Sequence, residues 1–105
     1  MTKLKITVIK TFSPEDVFGH EMKYPNGKVV TQCDHSGLSE GTEWVVENLA
    51  KPENFCGWAW HDLYKDMCIL SFGGDHFWSE PGVTYTACSD GMRPVSFKLE
   101  RLKET

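Results

Sequence analysis

The sequence lacks most of the short motifs that identify enzymes and metalloproteins. It contains no glycine-rich phosphate loop, no His-Glu-x-x-His pair and no dinucleotide-binding fingerprint. Its four cysteines include no Cys-x-x-Cys pair, so the local ligand spacing of a zinc finger is absent. Nucleoside-phosphate binding and zincin-type hydrolysis are therefore not indicated, and any metal site has to be assembled by the fold.

The sequence also lacks a long apolar run and an excess of positive charge. No apolar stretch approaches the ~18 residues of a membrane span, and residues 1–6 lack the apolar segment of a secretory signal. The 11 basic and 15 acidic residues give a net charge of −4, which argues against a nucleic-acid partner. We predict a cytoplasmic protein with no membrane or nucleic-acid partner, whose cysteines are thiols or ligands rather than disulfides.

The composition is that of one ordinary globular domain. The 105 residues are 25% charged and 40% hydrophobic, and no repeat, low-complexity tract or linker divides them. A chain of this length is near the common domain size and can bury a core of its own. We predict a single domain over residues 1–105.

Alternation of apolar and polar residues predicts an antiparallel sheet. Val95, Phe97 and Leu99 fall on one face of a strand predicted at 94–102. The other predicted strands are 3–12, 20–24, 28–33, 42–49 and 83–88. Short turns join neighbouring strands, which favours antiparallel pairing. We predict an α+β fold of two layers, in which a sheet of five or six strands carries one main helix on its face.

The main helix is predicted in the stretch that follows Asn54. Its apolar face comprises Trp60, Leu63, Tyr64, Met67 and Leu70. Asn54 is the predicted N-cap, and Gly73 or Gly74 ends the helix. Cys56 then falls in the first turn, where the helix dipole favours a thiolate. The start of this helix is therefore a candidate site for thiol chemistry.

Three cysteines stand at the predicted boundaries of strands and helix. Cys33 and Cys88 end strands, whereas Cys56 opens the main helix. Boundaries are where a rigid scaffold presents functional groups, and three converging thiolates suit zinc or an iron–sulfur cluster. We therefore predict that Cys33, Cys56 and Cys88 share a metal site. Packing as small hydrophobic residues is the plainer interpretation of these cysteines, and it is preferred for Cys68.

A catalytic cysteine is the first alternative function. Cys56 would be the nucleophile, with His61 as its base, or His76 or His35 in that role. Arg93 lies in a predicted turn and could bind a carboxylate or phosphate of the substrate through two hydrogen bonds. The spacing along the chain does not show which histidine reaches Cys56.

A metal-free binding domain is the second alternative function. Trp58 falls on the polar side of the predicted helix, and Trp78 lies in an irregular segment after it. Exposed tryptophan often marks a ligand pocket or a subunit interface. Trp58 and Trp78 are therefore candidates for binding a small molecule or for contact in a homo-oligomer.

Two neighbouring pairs of histidine and aspartate look like acid–base pairs, namely His61 with Asp62 and Asp75 with His76. Sequence neighbours on a helix point about 100° apart, so adjacency in the chain does not make a dyad. Both pairs are predicted to be solvated polar positions.

A resemblance to a known family is carried by several segments. They are Phe55–Tyr64, which contains the hexapeptide FCGWAW, then Phe72–Gly74 and Asp90–Arg101. With Val8–Lys10 and Val17–His20 the match covers nearly the whole chain. In these segments the chain resembles a family of uncharacterised proteins of about this length, found largely in anaerobic prokaryotes.

The resemblance implies a stand-alone cytosolic domain and brings no activity with it. It also implies cysteines at the positions of Cys33, Cys56 and Cys88, whereas other members carry an aliphatic residue at the position of Cys68. An anaerobic setting suits oxygen-sensitive iron–sulfur chemistry. The resemblance thus favours the three-cysteine hypothesis without choosing between metal and thiol chemistry.

Overall fold

The computed structural model describes residues 2–33 and 39–103. Its elements, in chain order, are β1 (Leu4–Thr11), α1 (Pro14–Phe18), β2 (Glu43–Val46), α2 (Gly57–Ser71), β3 (Val83–Ala87) and β4 (Val95–Arg101). No helix in this part of the chain is both long enough and apolar enough to cross a lipid bilayer.

The strands form one antiparallel sheet in the order β2-β1-β4-β3. At its centre, Ile6 of β1 lies opposite Leu99 of β4. At its edges, Val46 of β2 lies opposite Leu4, and Thr84 of β3 lies opposite Leu99. The predicted α+β class and antiparallel pairing are confirmed. The predicted number of five or six strands is wrong, because the described residues form a sheet of four.

The missing strands are those predicted before and after the turn at Gly27. The turn itself is present, closed by a 2.8 Å bond from the N–H of Gly27 to the carbonyl oxygen of Tyr24. Beyond it the pairing amounts to a single isolated bridge at Lys23. A two-stranded ribbon is stable only when it buries an apolar face, and in this segment Val30 alone is a buried hydrophobic residue.

The core lies between one face of the sheet and α2. The helix packs across β1, β4 and β3, and its residues Leu63, Met67 and Leu70 are fully buried. They share one cluster with Ile6 of β1 and Phe97 of β4. Each such side chain contributes roughly 2 kcal/mol by leaving water. This packing holds α2 against the sheet along its length and so positions the residues at both of its ends.

The main helix begins later than predicted. Asn54 has a left-handed backbone with φ 62°, and Cys56 is the N-cap instead. Asparagine adopts this conformation more readily than most residues, so the chain turns at Asn54 before the helix starts. Gly73, with φ 87°, follows the last turn as predicted. Tyr64 was predicted on the buried face, but its side chain is exposed at the rim of the core.

Candidate functional site

Cys33, Cys56 and Cys88 share one property: each is partly buried and packs against the hydrophobic core. All four cysteines are free thiols. Cys68 lies in the middle of α2 and does not pack against that core cluster. Its thiol instead raises the pKa of Tyr64, one turn earlier in the helix. The fold therefore separates the three predicted site cysteines from the fourth.

Cys56 occupies the N-terminal end of α2. Its carbonyl oxygen accepts the N–H of Trp60 at 2.9 Å, while its thiol makes no capping hydrogen bond. The first turn of α2 carries no acidic side chain. The thiol thus lies beside the free N–H groups of the helix end, with no carboxylate from that turn beside it.

Cys88 lies directly after β3, and its sulfur is held by the first residue of β4. The N–H of Cys88 donates to the carbonyl oxygen of Val95 at 3.0 Å. The N–H of Val95 donates back to the Cys88 Sγ at 3.2 Å. This reciprocal pair keeps the Cys88 thiol beside the start of β4.

Arg93 brings a positive charge to the connection between β3 and β4. Its Nε donates to the Oδ2 of Asp90 at 3.3 Å, and its backbone N–H donates to the Oδ1. Burial by itself lowers the pKa of Arg93, but the nearby Tyr24, Cys33 and Asp90 side chains raise it above its ordinary value. Arg93 lies in the same connection as Cys88.

Ser89 ties the start of α2 to this connection. Its Oγ accepts the Nε1–H of Trp58 at 2.7 Å, and its N–H donates to the Oδ2 of Asp62 at 2.7 Å. Trp58 follows Cys56 by two residues, and Ser89 follows Cys88 directly. The two hydrogen bonds therefore hold the Cys56 end of the helix beside the Cys88 end of β3.

These contacts place Cys56 and Cys88 at one end of the domain, and Cys33 follows Gln32, which donates to the carbonyl oxygen of Thr11 opposite the first residue of β4. Within residues 2–33 and 39–103, no three His, Cys, Asp or Glu side chains are grouped closely enough to hold a metal ion. Asp34 and His35, which follow Cys33, lie outside the described residues. The predicted role of His35 as a base therefore has no structural description.

His61 lies away from Cys56. Its side chain is 92% exposed, and its Nδ1 is 3.9 Å from the Oδ1 of Asp62. In the part of the chain that the structure describes, no hydrogen bond joins His61 to Cys56. The pairing of the two as base and nucleophile remains a prediction that these contacts do not support.

Trp58 and Trp78 belong to different ends of α2. Trp58 is in the first turn, whereas Trp78 lies in the segment that follows the last turn. The Trp78 ring is 4.7 Å from the His76 ring and 4.9 Å from the Phe77 ring, measured between centroids. Both tryptophans are exposed, by 62% and 64% of their surface. They do not line one pocket together.

The prediction that His76 is a solvated position is wrong, because His76 forms a buried pair with Asp66 that sequence reasoning missed. The Nε2 of His76 is 3.2 Å from the Oδ1 of Asp66, and both side chains are almost fully buried. The predicted neighbour Asp75 instead accepts hydrogen bonds from Gly82 and Arg101. The available signal was the position of Asp66 on the apolar face of α2, since a buried carboxylate needs a partner.

A Gly-x-Ser-x-Gly pattern occurs at residues 37–41, of which 39–41 are described. In serine hydrolases the serine of this pattern sits on a sharp turn between a strand and a helix. Here the pattern precedes β2, and the Oγ of Ser39 is hydrogen-bonded to the Oγ1 of Thr42 at 2.9 Å. This context does not match a nucleophile elbow.

Comparison with known proteins gives no indication of the function of this chain. No model of a known protein family, no curated protein and no solved structure matches the chain. The resemblance seen in the hexapeptide FCGWAW therefore stays a prediction. What the residues themselves offer is a set of thiols, a helix N-terminus and a guanidinium at one end of the sheet.

Proposed function

We propose that this chain is a cysteine-centred domain that binds a metal ion or an iron–sulfur cluster through Cys33, Cys56 and Cys88. The observation that carries the proposal is the linkage of all three to one connection, that between β3 and β4. Cys88 lies within it, Cys56 is held to it through Ser89, and Cys33 follows Gln32, which donates to the carbonyl oxygen of Thr11 opposite Val95.

The chemistry of these donors fits zinc and iron–sulfur clusters. Thiolates are the preferred ligands of both. The side chains have to turn toward one another for ligation, because three donors are not grouped within the described residues. An iron–sulfur cluster would supply one-electron transfer, and zinc would supply structural stability or a Lewis acid.

Arg93 and Trp58 are proposed to position a substrate or partner beside the thiols. The Arg93 guanidinium is partly buried, and its Nε donates to Asp90. Its two Nη atoms would then donate to a carboxylate or phosphate. Trp58 offers an exposed ring whose position the 2.7 Å bond to Ser89 fixes.

A cytoplasmic location is part of the same proposal. It is supported by the four free thiols, because the reducing conditions of the cytosol keep cysteines unpaired. A thiol site of this kind also requires that its cysteines stay reduced until they bind.

The test is metal binding by the anaerobically purified chain. We expect loading with zinc, or with iron and sulfide, to give a stoichiometric complex, and the iron form to absorb visible light. Serine replacements of Cys33, Cys56 and Cys88 should each weaken binding by at least about tenfold. Cys68→Ser is the matched control and should bind as the wild type does. A wild-type chain that stays colourless and metal-free, or equal loss in all four variants, contradicts the proposal.

A catalytic Cys56 is the second candidate, favoured by its place at the N-cap with no competing capping bond. Its test is the rate of alkylation by iodoacetamide between pH 5 and pH 9 in variants that retain one cysteine at a time. We expect Cys56 to react faster near neutral pH than Cys68. Equal rates for the two would remove this candidate.

A further inference from the structure

The two edge strands of the sheet differ in how they are protected against pairing with a strand of another chain. The edge strand β2 begins with Glu43, which pairs with Lys5 of the neighbouring strand, and is followed by Glu47, which pairs with Lys3 just before that strand. The edge strand β3, with sequence VTYTA, carries no charged residue. Charged side chains along an edge prevent pairing with other chains, and their absence leaves an edge able to pair.

The open groups of β3 follow from the register of its ladder. Cys88 donates its N–H to Val95 of β4, so the even-numbered residues of this strand bond to β4. The N–H and C=O groups of Tyr85 and Ala87 therefore point away from the sheet. No hydrogen bond from another described residue reaches them, and both residues are exposed.

The outward N–H and C=O groups of Val83, the first residue of β3, already have hydrogen-bond partners within the chain. The N–H of Val83 donates to the carbonyl oxygen of Glu80 at 3.1 Å, and the carbonyl oxygen of Val83 accepts the Oγ–H of Ser79 at 2.6 Å. The free part of the edge is thus the short segment from Tyr85 to Ala87.

An exposed tryptophan stands at each end of this segment. Trp58 is bonded to Ser89, which lies just beyond β3, and Trp78 precedes Ser79, which is bonded to the start of β3. Trp78 also packs edge-on against Phe77, which is 96% exposed. Exposed aromatic clusters of this kind mark contact surfaces.

We propose that two copies of this chain associate by antiparallel pairing of their β3 strands about a two-fold axis at Thr86. Tyr85 of one copy then lies opposite Ala87 of the other, so that each large ring meets a small residue. The outward N–H and C=O groups of both residues would exchange hydrogen bonds across the axis. The two sheets would join into one.

A second copy suits this edge because the edge is self-complementary. Antiparallel pairing reverses the strand, so the Trp58 end of one copy meets the Trp78 end of the other, as a two-fold interface requires. Trp58, Trp78 and Phe77 offer about 400 Å² of exposed aromatic surface per copy. That is half of the roughly 800 Å² per partner in a stable complex, and the paired strands and flanking turns supply the rest.

The proposal does not depend on the cysteine site, and it is tested by sedimentation equilibrium with reductant present. We expect wild-type dimers with a dissociation constant of about 1–100 μM. Ala87→Pro removes an outward N–H without breaking a bond to β4, so it should raise this constant at least about tenfold. Val45→Pro is the matched control, because Val45 has the same outward position on β2. It should leave the constant unchanged.

A second variant tests the same interface without proline, in case Ala87→Pro loses the dimer only because it misfolds. Tyr85→Glu adds two like charges beside the axis and should also raise the dissociation constant at least about tenfold. Both variants should keep the wild-type circular dichroism spectrum. A wild-type chain that stays monomeric at about 1 mM overturns the proposal and leaves the edge for an extended segment of another protein. A dimer that Val45→Pro disrupts and Tyr85→Glu does not also overturns it.

Discussion

Asp66 and His76 form a buried pair that connects α2 to the segment after it. The imidazole uses its Nε2 on the Asp66 carboxylate, and its buried Nδ1 has no hydrogen-bond partner among the described residues. The Trp78 ring lies against the imidazole and helps to keep water out. A histidine held in this way has one polar contact to lose, so its partner carries much of the local stability.

Replacement of Asp66 tests this dependence. Asp66→Ala should lower the free energy of unfolding by about 2 kcal/mol, because a buried imidazole is left without a partner. Asp66→Asn keeps an oxygen that can accept from Nε2–H, so it should cost less than half as much. Urea unfolding at pH 7 measures both. Equal stability of Asp66→Ala and wild type would show that the pair contributes nothing.

At the scale of the element, Arg101 of β4 holds the C-terminal end of α2. Its Nη1 donates to the carbonyl oxygens of Leu70 and Gly74 at 3.0 and 2.9 Å, and its Nη2 donates to the Oδ1 of Asp75 at 2.8 Å. The same carboxylate oxygen accepts the N–H of Gly82 at 2.7 Å. A cation at this end also complements the helix dipole.

The Asp75 carboxylate makes this arrangement sensitive to acid. The N–H of Gly82 first, and then Arg101, hold the pKa of Asp75 below its ordinary value of 3.8. A lowered folded-state pKa stabilises the fold above the unfolded value, and the contribution is lost as pH falls through the folded pKa.

Unfolding experiments between pH 6 and pH 2 should therefore separate wild type from Asp75→Asn. The wild type should lose stability more steeply below about pH 4, and the two curves should converge at the acid end. Asp16 is the matched comparison, since its lowered pKa comes from hydrogen bonds with Ser13, the N-cap of α1, and α1 makes no contact with α2. Parallel curves for wild type and Asp75→Asn would contradict this assignment.

At the scale of the whole molecule, Phe55 joins the core to the candidate site. Its ring contacts Trp44 edge-on at 4.8 Å between centroids, and lies 5.9 Å from Phe97 and 6.2 Å from Trp60. It is buried, and it directly precedes Cys56. The position of the Cys56 thiol therefore depends on packing that spans β2, β4 and α2.

Phe55→Ala should lower the free energy of unfolding by about 3–4 kcal/mol, through lost burial and the cavity left behind. Because the cavity adjoins Cys56, we also expect weaker metal binding by the folded fraction. Phe72→Ala is the matched control, since Phe72 is 75% exposed, and it should change stability by less than about 0.5 kcal/mol. If urea unfolding shows a much smaller loss of free energy for Phe55→Ala, the core has relaxed to fill the cavity left by the ring.

The sequence predicted those features that depend on neighbours along the chain. The alternation of Val95, Phe97 and Leu99 identified β4 and its buried face, and all three are buried. The spacing of Leu63 and Met67 identified α2 and the face that meets the sheet. Periodicity of this kind reports which side of an element avoids water, and burial of that side is the main driving force of folding.

Some local predictions were wrong because the conformation depends on packing against residues that are distant along the chain. The segment around Gly27 has the turn of a hairpin, yet it buries too little apolar surface to extend as strands. Asn54 is a residue type that is common at N-caps, yet its backbone is left-handed, and the N-cap of the helix is Cys56. Propensity describes what a residue tolerates, and packing against the rest of the chain selects among those conformations.

The sequence by itself determined the class of the fold, the main helix and the faces that form the core, because burial of an apolar stripe is written into local spacing. Only the tertiary structure decided the strand order, the pairing of Asp66 with His76, the link from Trp58 to Ser89 and the bare edge of β3. Each of these joins residues distant along the chain. Which of them meet depends on how the sheet and helix pack, and local spacing carries no record of that.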